Sequence, residues 1–385
     1  MESKISPLPT QAINYLVYKD KYMGWTKPEY SLTKVDKAGD FLTAVYSGKI
    51  KLGDANPEKL KNALDILANW RSAHSFPLNT FQMHLRKLAK EIDSSAVIVQ
   101  RLKRVSSILY KMNRKQTNTM RLSQMQDIGG CRAIVSNIQN VRELEKAYDK
   151  SQIKHKPKPK SDYISTPKKD GYRSIHFVYK YFSDKNDIYN NGILIEIQIR
   201  SKLQHAWATA VETVGTFTEH AYKSDEGDAE WLNFFKLASA AFAFIEKTPP
   251  VPDTPTDAEE LCKELQKSIL NLRVFQKMRA FAKALKEVRE SPAQHFSLLE
   301  LDIDKEQIKI TSFPKSQEKI ATEAYNKAEN EIEQIEGGKF KKDAVLVAAD
   351  SVDELKKAYP NYFADTSVFI NYLETFLKNS KIVVK

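Results

Sequence analysis

The stretch that most restricts how this 385-residue chain can fold is Ile193-Leu194-Ile195-Glu196-Ile197-Gln198-Ile199-Arg200. Isoleucine alternates strictly with other residues, and side chains two apart share one face of a strand, so the spacing predicts a strand with an all-isoleucine face. The other face aligns Glu196, Gln198 and Arg200. An ordinary solvent face could show that composition, and so could a pocket that handles phosphates.

Length allows two or three domains, and 42% hydrophobic residues are enough for ordinary cores. No apolar run approaches the roughly 18 residues of a membrane span, and Met1-Glu2-Ser3-Lys4 lacks the layout of a signal peptide, so the expected location is the cytoplasm, with no membrane partner. Cys131 and Cys262 stand far apart without partners at metal-ligand spacing, and both are expected to be buried packing residues. Nothing calls for more than a monomer.

The net charge of +11 is concentrated. Residues 101–121 hold seven Lys or Arg and no acid, and residues 150–173 hold eight basics against Asp162 and Asp170. Such clusters are usually solvated faces. Two of them flanking one candidate pocket point to a polyanionic substrate, a nucleoside triphosphate or a nucleic acid backbone.

In chain order, residues 1–80 read as an N-terminal helical support. Helical spacing runs from Pro57 to Trp70 and again from Asn79 to Ile92, with His74 between them expected to be a hydrogen-bonded structural histidine. In Arg101 to Lys111, the residues Lys103, Ser107 and Lys111 are four apart, and at a strand-to-helix junction they converge with Arg101 on one side. Asp127-Ile128-Gly129-Gly130 precedes a buried strand that includes Ala133 to Val135, and the paired glycines allow close backbone approach. Asp127 at a strand mouth together with Glu196 is the donor set that a hard cation such as Mg2+ takes. Lys154-His155-Lys156-Pro157-Lys158-Pro159-Lys160 is an extended basic ribbon, because each proline disfavours helix for the residue before it. The loop from Thr166 to Tyr172 leads into a strand from Ser174 to Phe182, and Tyr172 could stack on a base or pack in a core.

Read together, Arg101 to Lys111, Asp127 to Arg132, Pro167 to His176 and Glu196 to Arg200 resemble the synthetase domain of the RelA/SpoT family over roughly residues 80–246. The resemblance implies an α/β (α+β) fold, a mixed sheet flanked by helices and related to nucleotidyltransferases, that moves pyrophosphate from ATP to a ribose hydroxyl. By position, Arg101 and Arg132 would sandwich adenine, and Lys103, Ser107 and Lys111 would meet the phosphates. Gln198 and Arg200 join this donor set. Asp127 and Glu196 would hold Mg2+, with Glu196 also activating the hydroxyl. Tyr172 would stack on the acceptor base, His176 would sit near the acceptor's phosphates or ribose, and Lys168 and Arg173 fall in the same acceptor loop. None of the seven histidines is followed by Asp, so the His-Asp dipeptide of the family's hydrolase half is absent. Where alarmone makers usually carry Lys-Asp-Tyr-Ile, this chain has Ser161-Asp162-Tyr163-Ile164, and its lysines stand upstream. The ribbon of Lys154, Lys156, Lys158 and Lys160 suits a backbone longer than two phosphates, as on the acceptor end of a tRNA.

Beyond the helical sequence that ends near Lys247, Thr248 to Pro255 is too rich in proline for a helix or a sheet interior and marks a boundary. The expected domains are 81–247, the pyrophosphotransferase; 248–257, a linker; and 258–385, a small α+β regulatory module. In the module, Ala258 to Val288 and Glu318 to Ile335 read as helices, Phe296 to Phe313 as two strands, Ala344 to Ala348 as a strand and Asp365 to Leu377 as a helix. Tyr359-Pro360-Asn361-Tyr362 on a turn, joined to a synthetase and a Pro-rich linker, resembles the CapRel fused toxin-antitoxins. That resemblance implies that Tyr359 and Tyr362 occlude the nucleotide pocket, and that a phage capsid protein bound to the module releases an enzyme which pyrophosphorylates tRNA 3′ ends. A small alarmone synthetase making guanosine or adenosine derivatives, and an inactive RNA-binding regulator, are the alternatives.

Overall fold

The computed structural model describes residues 25–103, 105–114, 120–218, 229–275, 278, 296–302, 307–317, 320, 324, 342–348 and 366–379. Tyr359 and Tyr362, the expected helix 318–335 apart from two residues, and the aromatic segment before Trp25 lie outside them. Two compact units divide the chain, one formed by Met1–Asp162 with Ser174–Ser201 and the other by Tyr163–Arg173 with Lys202–Lys385.

The first unit holds helices α1 (Leu32–Tyr46), α2 (Pro57–Ala73), α3 (Ser75–Ile92), α4 (Val105–Asn113) and α5 (Ile138–Lys150). Its strands are β1 (Val97–Leu102), β2 (Gly129–Val135), the two-residue β3 (Lys156–Pro157) and β4 (Ser161–Asp162), β5 (Ile175–Lys180) and β6 (Leu194–Ser201). The sheet runs β1-β2-β6-β5-β3, with β4 also on β5. Only β2 and β6 are parallel, so the sheet is mixed. Ile195, Ile197 and Ile199 are fully buried, as their alternation required. Helices α3 and α5 cover that face. The buried positions of α3 include Leu78, Phe81, Gln82, Leu85 and Ala89, one stripe at helical spacing. Tyr148 of α5 meets Phe177 and Tyr179 of β5 at 5.2 and 6.2 Å between ring centroids.

His74, at the junction of α2 and α3, is wholly buried and donates from Nδ1 to the Trp70 carbonyl at 2.7 Å. It explains the first glycine of the pair: a Cβ on Gly129 would lie 2.8 Å from Ile195 Cδ1 and 3.3 Å from His74 Cβ. Burial lowers the pKa of His74 to about 4. The unfolded chain takes up this proton below about pH 6.5 and the folded chain only near pH 4, so its contribution to stability is complete above 6.5 and is lost as pH falls through that window. The loss is expected to reach about 3 kcal/mol, and denaturant melts of His74→Gln should lack that part of the slope.

The second unit holds α6 (Lys202–Thr218), α7 (Ala229–Glu246), α8 (Ala258–Leu272) and α9 (Ser367–Asn379), with β7 (Phe296–Asp302), β8 (Gln307–Phe313) and β9 (Lys342–Ala348) in an antiparallel sheet ordered β8-β7-β9. Helix α7 is apolar nearly all round and lies at the centre of a core joining Trp231, Phe234, Phe235 and Phe242 to Leu261, Leu265 and Ile269 of α8 and Phe369 and Leu373 of α9. Asp257 caps α8 by accepting from the Glu259 and Glu260 amides. The helix expected from Ala258 to Val288 is interrupted after Leu272; Val274, Phe275 and Met278 are again helical, and residues 276–277 and 279–288 lie outside the described residues. Arg273 adopts the left-handed conformation at φ 51° and ends the helix at Leu272. The Pro-rich segment carries neither helix nor strand, yet it is not a free tether: Val251 is buried, and Arg173 donates to Thr248 Oγ1 at 3.2 Å and to the Pro249 carbonyl at 2.7 Å.

Candidate active site

The face of the sheet opposite the isoleucines carries the site. Register places Arg101, Gly130, Glu196 and Val178 in one transverse row, and Val99, Arg132, Gln198, His176 and Ser161 in the next. Gly130 therefore leaves no side chain between Arg101 and Glu196.

Glu196 is fixed from both sides. His176 Nδ1 donates to Oε1 at 2.9 Å, and Gln198 Nε2 donates to Oε2 at 2.7 Å. The Gln198 carbonyl in turn accepts from Arg132 Nε and from Arg200 Nη2, each at 3.0 Å. Burial pushes the Glu196 carboxyl up, but the hydrogen bond and charge of His176 and the hydrogen bond from Gln198 outweigh burial and the repulsion of Asp127, so its pKa lies below the ordinary value. Glu196 is thus a carboxylate at neutral pH, held in one orientation.

The second cluster is built where β1 passes into α4. Asp127 accepts from Lys103 Nζ on Oδ2 at 3.0 Å, and its Oδ1 forms an ion pair with Lys111 Nζ at 3.0 Å. Burial would raise its pKa, and the two lysines more than reverse that. Lys103 is held by its backbone: its amide donates to the Ile128 carbonyl at 2.7 Å, and its carbonyl accepts from Arg71 Nε at 2.7 Å. Ser107 lies half-buried on α4, one turn before Lys111. The stretch is a strand-to-helix junction, the condition under which Arg101, Lys103, Ser107 and Lys111 were expected to converge. The charge of Asp127 raises the pKa of Glu196, and two ionised carboxylates are the donor chemistry that a Mg2+ ion would take.

Several residues stand where sequence reasoning did not put them. His176, assigned to the acceptor, holds Glu196. Gln198 and Arg200, assigned to the donor, form the chain of hydrogen bonds behind Glu196. Arg173 is 3% exposed in the second unit, where it donates to Ser239 Oγ at 3.1 Å as well as to the Pro-rich segment, so it acts as a structural latch and not as an acceptor ligand. Tyr172 is buried beside Tyr163, at 5.9 Å between centroids, with Lys168 Nζ 5.2 Å from its ring. It is placed as a packing residue. Its neighbour Gly171 has φ 89°, and a Cβ there would come within 2.9 Å of Ser239 Cβ. The basic ribbon splits. Lys154 pairs with Asp184, and Lys160 pairs with Glu145 at 2.8 Å and Asp149 at 2.7 Å, whereas Lys156 and Lys158 are exposed. The contributions of Arg71 and His176 had no signal in a single sequence, because each depends on a partner far away in the chain.

Residues 100–226 match the family model described as a region found in RelA / SpoT proteins. A GTP pyrophosphokinase of Haemophilus influenzae is 26% identical over 220 residues, which is 57% of this chain and 27% of the relative. The GTP pyrophosphokinase YjbM of Bacillus subtilis is 36% identical over 115 residues, 29% of this chain and 52% of the relative. This chain therefore spans only part of each curated relative. Among solved structures, small alarmone synthetase 1 from Bacillus subtilis bound to its product pppGpp is similar with a TM-score of 0.37 and 23% identity, over 46% of this chain and 89% of that one. Among the described residues, no helix is long and apolar enough to cross a membrane.

Proposed function

We propose that the chain is an ATP-dependent pyrophosphotransferase of the RelA/SpoT synthetase type. The observation that carries the proposal is the oriented Glu196 carboxylate on the same sheet face as Arg101 and Arg132, together with the Lys103-Asp127-Lys111 cluster. Arg101 and Arg132 are diagonal neighbours across the β1-β2 ladder, about 7–8 Å apart at the backbone and within reach of long side chains. In this reading the two guanidinium groups take one flat base between them. Lys103, Ser107 and Lys111 bind the phosphates, which draw the lysines away from Asp127. Asp127 and Glu196 would hold Mg2+, which when bound neutralises charge at the phosphates.

In this reading a ribose hydroxyl gives its proton to Glu196 as its oxygen bonds to the β-phosphorus of ATP. The bond from that phosphorus to the α-β bridging oxygen breaks, and AMP leaves. No covalent nucleophile is needed, because positioning and charge neutralisation supply most of the acceleration. Product analysis tests this: ATP should yield AMP, and release of ADP instead would contradict it.

The acceptor we propose is the 3′ end of tRNA. Position 161 lies across from His176 on the Glu196 face, and there this chain has a serine where alarmone makers usually carry lysine. A guanine nucleotide is the second reading, favoured by the names of the curated relatives. The C-terminal module, with Tyr359 and Tyr362, inhibits the enzyme, and a phage capsid protein that binds the module releases it.

Gln198→Ala tests the chain behind Glu196. Loss of a hydrogen bond that lowers the Glu196 pKa should move the acid limb of the pH-rate profile to higher pH, and loss of orientation should cost on the order of 10-fold in kcat. A change in KM for ATP alone would return Gln198 to the donor site.

A further inference from the structure

The lysines at the β3-β5 edge fall into two groups that the fold treats differently. The one that points away from the site is neutralised: Lys160 meets Glu145 and Asp149 of α5, and its ammonium lies 5.4 Å from the Phe177 ring, on the isoleucine side of the sheet. Those on the Glu196 face are not. Lys156 stands directly across from Lys180, Lys180 is across from Leu194, and the Lys158 amide extends the ladder by donating to the carbonyl of Val178, the partner of Glu196. Lys156, Lys158 and Lys180 therefore share one face with Glu196, and all three are exposed. Pro159 and Lys160 together oppose Phe177 between the Lys158-Val178 and Ser161-His176 pairs, so a bulge turns Lys160 to the other side.

Like charges directly opposite on a ladder are destabilising. Here such a pair is kept with a third lysine beside it, and no acid pairs with any of them among the described residues. Adjacent strands are about 4.8 Å apart and successive same-face residues about 6.6 Å, so Lys158 stands roughly 10 Å from Glu196 with Lys156 and Lys180 one step along the strands. Basic residues on an edge strand can also merely block edge-to-edge aggregation. That purpose would not require all three on the Glu196 face.

We propose that Lys156, Lys158 and Lys180 form a track for the phosphodiester backbone of a single-stranded RNA whose terminal ribose reaches Glu196. The inference rests on the transferase reading, which requires a ribose hydroxyl beside Glu196. Lys180 was not among the residues singled out in the sequence, because nothing in its surroundings there marks it.

The test measures binding of a short, fluorescein-labelled single-stranded RNA with a free 3′ hydroxyl to the full chain over a range of salt concentrations. Lys156→Gln with Lys158→Gln and Lys180→Gln should weaken binding at least about 10-fold and reduce the slope of log affinity against log salt by about 2, near 0.7 per phosphate contact. ATP binding should persist, and Lys185→Gln, an exposed lysine of the following turn, should change nothing. An unchanged slope overturns the track, as does equal loss of ATP affinity. Equal binding of a polyglutamate peptide that is lost in the same variant would also overturn it, in favour of an acidic protein surface. If ATP yields AMP with GDP as acceptor while RNA binding ignores the three lysines, the transferase reading stands and the track falls. If no acceptor yields AMP but the slope drops as expected, the track stands and the transferase reading falls.

Discussion

Glu196→Gln is expected to abolish transfer while leaving the fold intact. The substitution keeps the volume, and the new amide oxygen can still accept from His176 Nδ1 while the bond from Gln198 Nε2 is lost, a local change that leaves the β5-β6 ladder and the buried isoleucine face in place. What is lost is the group that takes the proton, along with one of two carboxylates that fit a cation. Together these should lower the rate by at least about 100-fold, with circular dichroism and the unfolding midpoint close to those of the parent. Turnover at the parent rate would remove Glu196 from the mechanism and with it the assignment of the site.

The second large effect concerns control. Tyr359→Ala with Tyr362→Ala should make the full chain toxic to cells without any trigger, and adding Glu196→Gln should abolish that toxicity. A module on the same chain needs only modest intrinsic affinity for the pocket, since a covalent link gives an effective concentration in the millimolar range. Tyrosine rings suit a slot between Arg101 and Arg132, where a flat ring meets guanidinium on both faces. A trigger that binds the undocked module more tightly shifts the balance by that differential affinity alone. Growth curves after induction read the outcome, and a harmless double variant would mean that the module inhibits by another surface or not at all. Truncation near Pro252 is a poorer test. It would remove α8 and α9, which cover the apolar circumference of α7, and leave Trp231, Phe234 and Phe242 exposed.

Local pattern carried much of the fold. The isoleucine alternation fixed β6 to within a residue at each end, and the alternation from Phe296 to Phe313 gave the β7-β8 pair. The glycine pair was legible as a close approach, though not as an approach to His74. Partners distant in the chain were not legible. Arg173 resembled a ligand because it follows Gly171-Tyr172, and only the fold brings Ser239, Thr248 and Pro249 to its guanidinium. The Lys-Pro ribbon read as one basic unit, but strand alternation and a bulge divide it between two faces with opposite surroundings. Proline content at 248–255 correctly excluded helix and strand, but it could not reveal that α8 returns to cover α7.

The central claim is that both terminal phosphates of ATP move together. The direct measurement supplies the full chain carrying Tyr359→Ala and Tyr362→Ala with ATP labelled at the β-phosphate and, separately, at the γ-phosphate, in the presence of bulk tRNA, GDP and GTP. The account predicts that both labels enter one acceptor in equal amounts, with one AMP formed per transfer, and that the acceptor is tRNA. Entry of the γ label alone, or labelling of no acceptor by a chain that binds ATP, would contradict it.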